Sequence, residues 1–370
     1  MKIGVPKEIK DKEARVAMTP SGVIRLVQSG NTVVVEKDAG VGSGFSNDQY
    51  QQAGATIVST SEAWNVDLVV KVKEPQQSEF QYLKDQIVFT FFHLYGVDKN
   101  LTKELVKKGT TALAYETLED QNERLPILEP MSAVAGNMSV LMGSYYLASF
   151  NQGNGMQLGT ILDKAYGKVV IIGDGIVGQH AAKVASAMGA NVAIAGLHES
   201  RWAERHKDSL PAVKFFISNK DNISKQIVDA DLVVGAVLCR GTKAPKIVTE
   251  DMLKTMPLGS VIVDVSIDQG GCFETSRATT HSDPVFIKHG IIHYCVANMP
   301  GAYPKASTIA LTDATIEYVL DIANNSLDNF FSDQGKTKAL NVYKGKIVAE
   351  KVAKDLDLLD LFQAIESLNN

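Results

Sequence analysis

The chain has 370 residues, enough for about two domains, and its 45% hydrophobic and 21% charged content describe a folded globular protein rather than a disordered one. Its formal net charge of −5 comes with no basic stripe, which argues against nucleic acid as a partner, and with no long like-charge run that would mark a tail. No stretch approaches the ~18 uninterrupted apolar residues of a membrane span, and the opening MKIGVPKEIK lacks the apolar run of a signal peptide, so a cytoplasmic protein is expected.

Short apolar runs alternate with longer helical patterns, the signature of α/β architecture with parallel sheets. In the first third, strands are predicted at KIGVP, NTVVVE, ATIV, DLVVKV, QIVFTFF and TTALAYE. Amphipathic stretches such as PSGVIRLVQSG lie between them, with Gly30 as a helix stop. A long helix is predicted from Ser132 to Phe150. A second strand series follows: GKVVIIG, NVAIAG, VKFFIS, ADLVVGAV, SVIVDVS and IIHYCVAN. Their continuous apolar character suits strands covered on both faces. A second long helix is predicted from Ser307 to Asn325, and the remainder to Asn370 reads as helical and too small to fold alone. The economical arrangement is a discontinuous domain, 1–128 plus 306–370, with a second domain, 129–305, inserted in it and a cleft between them as the default site. Cys239, Cys272 and Cys295 are widely spaced and odd in number. They are read as reduced, buried thiols without zinc-ligand spacing.

VVIIGDGIVGQHAAKVASAMGA carries Gly173, Gly175 and Gly178 as GxGxxG, after an apolar strand and at the start of a small-residue helix. In that context the first glycine permits the turn, the second admits a pyrophosphate, and the third lets helix and strand pack closely. The next strand should end in an acidic residue that holds the adenosine ribose hydroxyls. It ends instead at Gly196, in AIAGLHESR. Three readings stay open. Glu199 or His198 could hold the ribose, or backbone groups and water could do so. Otherwise the vacancy accommodates a 2′-phosphate beside Arg201 and Arg205.

GVPKEIKDKEARVAMTPSGV, LVVKVKEP, FTFFHL, PMSAVAG, GAVLCRGTKAPKIV, VIVDVSIDQGGCFETSRATTH and YCVANMPGAYPKASTIALTDAT together resemble the alanine dehydrogenase and transhydrogenase α-subunit family along nearly the whole chain. The resemblance implies two Rossmann-type doubly wound α/β domains around a cleft, a homohexamer, and reversible oxidative deamination of L-alanine to pyruvate and ammonia with NAD. It implies His93 and Asp268 as catalytic residues. Arg15 is implied for the substrate carboxylate, Lys73 and Asn298 for further substrate contacts. Cofactor contacts are implied at Ser132, Ile176, Val177, Ser218, Val237, Leu238, Ile267, Asp268, Arg277, Val296, Ala297, Asn298 and Met299, with Gly173, Gly175, Gly178, Gly196 and Arg201 completing the set. The family normally has aspartate where Gly196 stands, which leaves both NAD and NADP open. Some relatives carry a metal-binding pair where this chain has Asp321 and Asn325. Asparagine replaces an imidazole poorly, so no metal is expected. The runner-up reading is a nicotinamide-nucleotide-binding subunit of a transhydrogenase-like assembly.

The residue types suit the chemistry. A guanidinium holds a carboxylate through paired hydrogen bonds. A lysine stabilises charge on a carbonyl oxygen. A histidine moves the proton on that oxygen. An aspartate orients ammonia or water.

Overall fold

The computed structural model describes residues 1–96, 99–206, 210, 212–240 and 243–368, without the side chains of Arg201, Arg205 and His206. Two units emerge: Met1–Met131 with Arg240–Thr242 and Gly301–Asn370, and Ser132–Cys239 with Lys243–Pro300. The first division falls three residues after the one read from the sequence and the second five residues before it, and the Arg240–Thr242 piece of the first unit was not read.

In the first unit, β1 (Lys2–Val5), β2 (Thr32–Glu36), β3 (Thr56–Val58), β4 (Leu68–Lys73), β5 (Ile87–Phe91) and β6 (Thr111–Ala114) form a parallel sheet in the order β6-β5-β4-β1-β2-β3. This is the doubly wound order, whose reversal point lies between β1 and β4. Successive residues of each strand face opposite sides. Leu68, Val70, Ile87 and Phe89 therefore enter one core, while Val69 and Val88 enter another. The Pro304–Asn324 helix begins with proline at its first turn, where a missing N–H costs nothing. Its Thr308 and Thr312 hydroxyls accept the Val16 and Thr19 backbone N–H groups at 3.1 and 3.0 Å, which pins the loop that carries Arg15.

The second unit starts within the Leu128–Leu147 helix, which begins four residues before the predicted Ser132 start. A small hairpin, β7 (Gly159–Ile161) with β8 (Lys164–Tyr166), precedes the main sheet. That sheet comprises β9 (Lys168–Ile172), β10 (Asn191–Gly196), β11 (Lys214–Ile217), β12 (Leu232–Gly235), β13 (Val261–Asp264), β14 (Val285–Lys288) and β15 (Ile291–Tyr294). Its order is β11-β10-β9-β12-β13-β15-β14, parallel except for β14. Val169 and Ile171 face one core and Val170 and Ile172 the other.

The helical reading of the C-terminal remainder needs correction. β16 (Leu340–Tyr343) and β17 (Lys346–Ile347) extend the first sheet antiparallel beyond β6. Their connection is Lys344-Gly345, both left-handed at φ 47° and 72°, as a tight hairpin turn requires. The unpredicted β14 is joined to β15 by the same device, His289-Gly290 at φ 54° and 75°. Neither turn uses the Asn-Gly or Asp-Gly pair that advertises a hairpin. Among the described residues, no helix is long and apolar enough to cross a membrane.

Candidate active site

In the first unit the predicted substrate residues follow the carboxyl ends of adjacent strands, where open α/β sheets bind ligands. Arg15 lies in the loop after β1, Lys73 ends β4, and His93 follows β5. Arg15 is 2% exposed. Glu13 receives its Nε and Nη2 at 2.8 and 2.6 Å, a paired contact that fixes the guanidinium plane. The Nη1 of Arg15 lies 3.2 Å from Met131 Sδ. Lys73 is likewise buried, in a strand whose six residues are all buried. Burial alone would raise the neighbouring Glu74 carboxyl, but Lys73 and Lys10 more than offset this and hold it below its ordinary value.

His93 is left-handed at φ 46°, rare for a residue with a side chain. Glu116 supports that turn: its two oxygens accept the N–H groups of Phe92 at 3.2 Å and His93 at 2.6 Å. The imidazole stacks on Phe91, with 5.7 Å between ring centroids, and its Nδ1 lies 2.9 Å from the Tyr95 hydroxyl. Glu13, Tyr95 and Glu116 are thus parts of this site that the sequence reading did not single out. Only Glu13, within KEARVA, carried a sequence signal.

Within β4, Lys71 is fully buried and bridges Glu8 at 3.1 Å and Glu79 at 2.9 Å. Burial dominates at Glu8 and pushes its carboxyl from 4.5 up to about 7, against the pull of Lys71. The folded chain therefore holds this proton more tightly than the unfolded chain. The Glu8 contribution to stability is full below pH 4.5 and falls as pH rises to about 7. Urea unfolding across that window should show the stability gap between the wild type and Glu8→Gln changing with pH. A gap that stays constant would mean that Glu8 ionises as in the unfolded chain.

In the second unit the glycine loop has the geometry its pattern demands. Gly173 has φ 116°, and a Cβ there would stand 2.4 Å from the Ala236 carbonyl oxygen. A Cβ on Gly178 would stand 1.9 Å from the Gly173 carbonyl oxygen, so the helix beginning at Ile176 packs directly on the turn. A Cβ on Gly175 would meet nothing within 4 Å. Open space beside Gly175, at the N-terminus of a 13-residue helix, fits a dinucleotide pyrophosphate.

Several of the other predicted cofactor positions are linked to this turn or to one another. A Cβ on Gly136 would stand 2.4 Å from the Val177 carbonyl oxygen, so the helix bearing Ser132 lies against the loop. Ser218 donates its backbone N–H to the Gly196 carbonyl at 2.8 Å. Ser266 Oγ donates to the Val237 carbonyl at 2.8 Å and accepts its N–H at 3.0 Å. The Gln269 amide brackets Cys239 in the same manner, at 2.6 and 3.0 Å. Val237 and Leu238 are thereby tied to the Ile267–Asp268 turn. The buried Asp264 carboxylate holds that turn from below, accepting the Ser266 and Cys272 N–H groups at 3.1 and 2.9 Å and the Ser276 hydroxyl at 2.6 Å. Burial raises its pKa despite those bonds.

Asn298, left-handed at φ 68°, donates its N–H to Asp268 Oδ1 at 3.3 Å, which brings the Val296–Met299 turn to Asp268. Arg277 is placed differently: its exposed guanidinium stacks on Phe286 of β14 at 4.1 Å. Arg201 falls in the Glu199–His206 helix, and its side chain lies outside the described residues. Asp321 accepts Lys336 Nζ at 2.6 Å and Asn325 Nδ2 at 2.7 Å.

Two family models match the chain: the alanine dehydrogenase/PNT N-terminal domain over residues 4–135 and the C-terminal domain over residues 139–350. The chain belongs to the alanine dehydrogenase/PNT family. It is 48% identical to the alanine dehydrogenase of Staphylococcus haemolyticus (strain JCSC1435) over 97% of both chains. A solved L-alanine dehydrogenase superposes with a TM-score of 0.90 at 43% identity, covering 97% of this chain and 100% of that one. The transhydrogenase of Sinorhizobium meliloti shares the fold at 23% identity and a TM-score of 0.78, over 94% of this chain and 99% of that one. The two Rossmann-type domains expected from the family motifs are thus the architecture of this chain.

Proposed function

We propose that the chain is an alanine dehydrogenase that converts L-alanine to pyruvate and ammonia, reversibly and with NAD. Family membership supports the reaction. The observation that carries it to this chain is a pair of buried cations, Arg15 and Lys73, at the carboxyl edge of a doubly wound sheet. Buried cations at a ligand-binding edge suit an anionic substrate. Arg15 takes the substrate carboxylate. Its guanidinium plane is set by Glu13, and a fixed guanidinium suits a carboxylate. Lys73 stabilises negative charge on the oxygen of the carbonyl or carbinolamine.

His93 moves the proton on that oxygen, with its ring held by Phe91 and Tyr95. Asp268 orients water or ammonia and balances the cationic imine. A nicotinamide held there would supply the hydride acceptor for the substrate α-carbon. Ser132, the glycine loop, Ser218, Val237, Leu238, Ile267 and Val296–Met299 hold the dinucleotide. Asn298 serves the substrate as well. The same reading carries a cytoplasmic homohexamer whose partners are small molecules, with no metal at Asp321.

Absorbance at the reduced-nicotinamide band, with pyruvate and ammonium supplied together, tests the reaction. NADH oxidation that requires both substrates is expected. Nucleotide binding without such turnover would favour the transhydrogenase-like subunit instead.

A further inference from the structure

We propose that Asp174 supplies the carboxylate that holds the adenosine ribose hydroxyls, and that it selects NAD over NADP. This rests on the nicotinamide-dependent reading above. In a dinucleotide-binding unit the ribose acid ends the second strand, here Gly196 at the end of β10. A Cβ on Gly196 would stand 2.6 Å from Asp174 Oδ2 and 2.7 Å from its Cγ. The carboxylate missing from position 196 is therefore present in the same space, delivered from the glycine loop. Phe215 Cε2 closes the other side, also 2.6 Å from that Cβ. Gly196 is thus the residue that makes room for Asp174.

The loop holds Asp174 in place. Gly173 ahead of it is confined against Ala236, and the Asp174 backbone carbonyl accepts the Gln179 side-chain amide at 2.9 Å. Asp174 is half-buried, so its charge is screened less than a fully exposed one. A carboxylate accepts both ribose hydroxyls, and it repels a 2′-phosphate placed in the same spot. Sequence reasoning overlooked this residue because the middle position of GxG has no assigned role in the motif.

Fluorescence titration of NADH and NADPH tests the proposal by binding, independent of turnover. The wild type should bind NADH at least ~10-fold tighter than NADPH. Asp174→Asn and Asp174→Ala should weaken NADH ~10–100-fold, the value of a charge-assisted pair of hydrogen bonds, and erase the preference. Gly196→Asp alone should weaken both nucleotides, because Asp174 and Phe215 already fill the space. The exchange Asp174→Gly with Gly196→Asp should restore the NADH preference. A wild type that favours NADPH, or an unchanged ratio in folded Asp174→Ala, would overturn the assignment while leaving the nicotinamide reading intact. A folded wild type that binds neither nucleotide would remove the nicotinamide reading and this one with it.

Discussion

Replacing His93 with asparagine is expected to lower kcat for alanine oxidation by ~10²–10⁴-fold, the usual contribution of a positioned acid–base group. Asparagine is the informative substitute because it tolerates the left-handed backbone that His93 adopts at φ 46°. It also keeps a polar group facing Tyr95. The Glu116 carboxylate would still receive the two backbone N–H groups, so the turn after β5 should survive. Alanine at the same position removes the ring and strains the turn, which mixes two effects. The loss should fall on kcat, with KM for alanine changing little, because Arg15 still takes the carboxylate. The limb of the pH–rate profile that reports this group should also disappear. Oxidation consumes a neutral amine and an unprotonated acceptor, so wild-type alanine oxidation should favour alkaline pH. A kcat within a few-fold of the wild type would remove His93 from the mechanism and leave it as a half-buried histidine held by Tyr95.

Two glycine substitutions in the same loop should separate folding from nucleotide binding. Gly178→Ala places a Cβ 1.9 Å from the Gly173 carbonyl oxygen, where backbone meets backbone and no side chain can yield. Overpacking of this kind costs about 1–3 kcal/mol or more, so the thermal midpoint should fall and NADH affinity should fall with it. Gly175→Ala adds the same methyl group where nothing lies within 4 Å. Its backbone, at φ −74°, suits alanine. This variant should keep the wild-type midpoint and still lose NADH affinity, because the methyl occupies the space taken by the pyrophosphate. The pair is read by differential scanning fluorimetry and NADH titration. Equal behaviour of the two variants, or full affinity in folded Gly175→Ala, would place the pyrophosphate elsewhere.

Most of the architecture was legible in the sequence because its determinants are local. The central predicted strands in both series are apolar runs covered on both faces, unlike the part-exposed edge strands β3 and β11, and such runs have few alternatives to a parallel sheet. GxGxxG was legible for the same reason: a strand, a tight turn and a helix start within a few residues of one another. β14, β16 and β17 were not legible. Their turns, His289-Gly290 and Lys344-Gly345, use an ordinary residue before glycine, and their strands are short or half-exposed. Only pairing with β15 and β6 stabilises them, and pairing partners lie far along the chain or depend on a turn that composition does not announce.

The chemistry divides along the same line. Residue types in sequence determined which groups could act: a guanidinium in KEARVA, a lysine in KVKEP, a histidine after a strand and an aspartate before two glycines. The tertiary structure decided their surroundings. It placed Glu13 against Arg15, bent the chain at His93 over Glu116, and tied Val237 to Ser266. The Gly196 question shows why. In sequence, Asp174 and Gly196 are 22 residues apart, and the glycine reads as a lost carboxylate. In the fold, β9 and β10 pair in parallel, so Gly196 at the end of β10 and Asp174 just past the end of β9 share one space. Sequence spacing records what each strand carries, whereas only strand pairing decides which side chains meet.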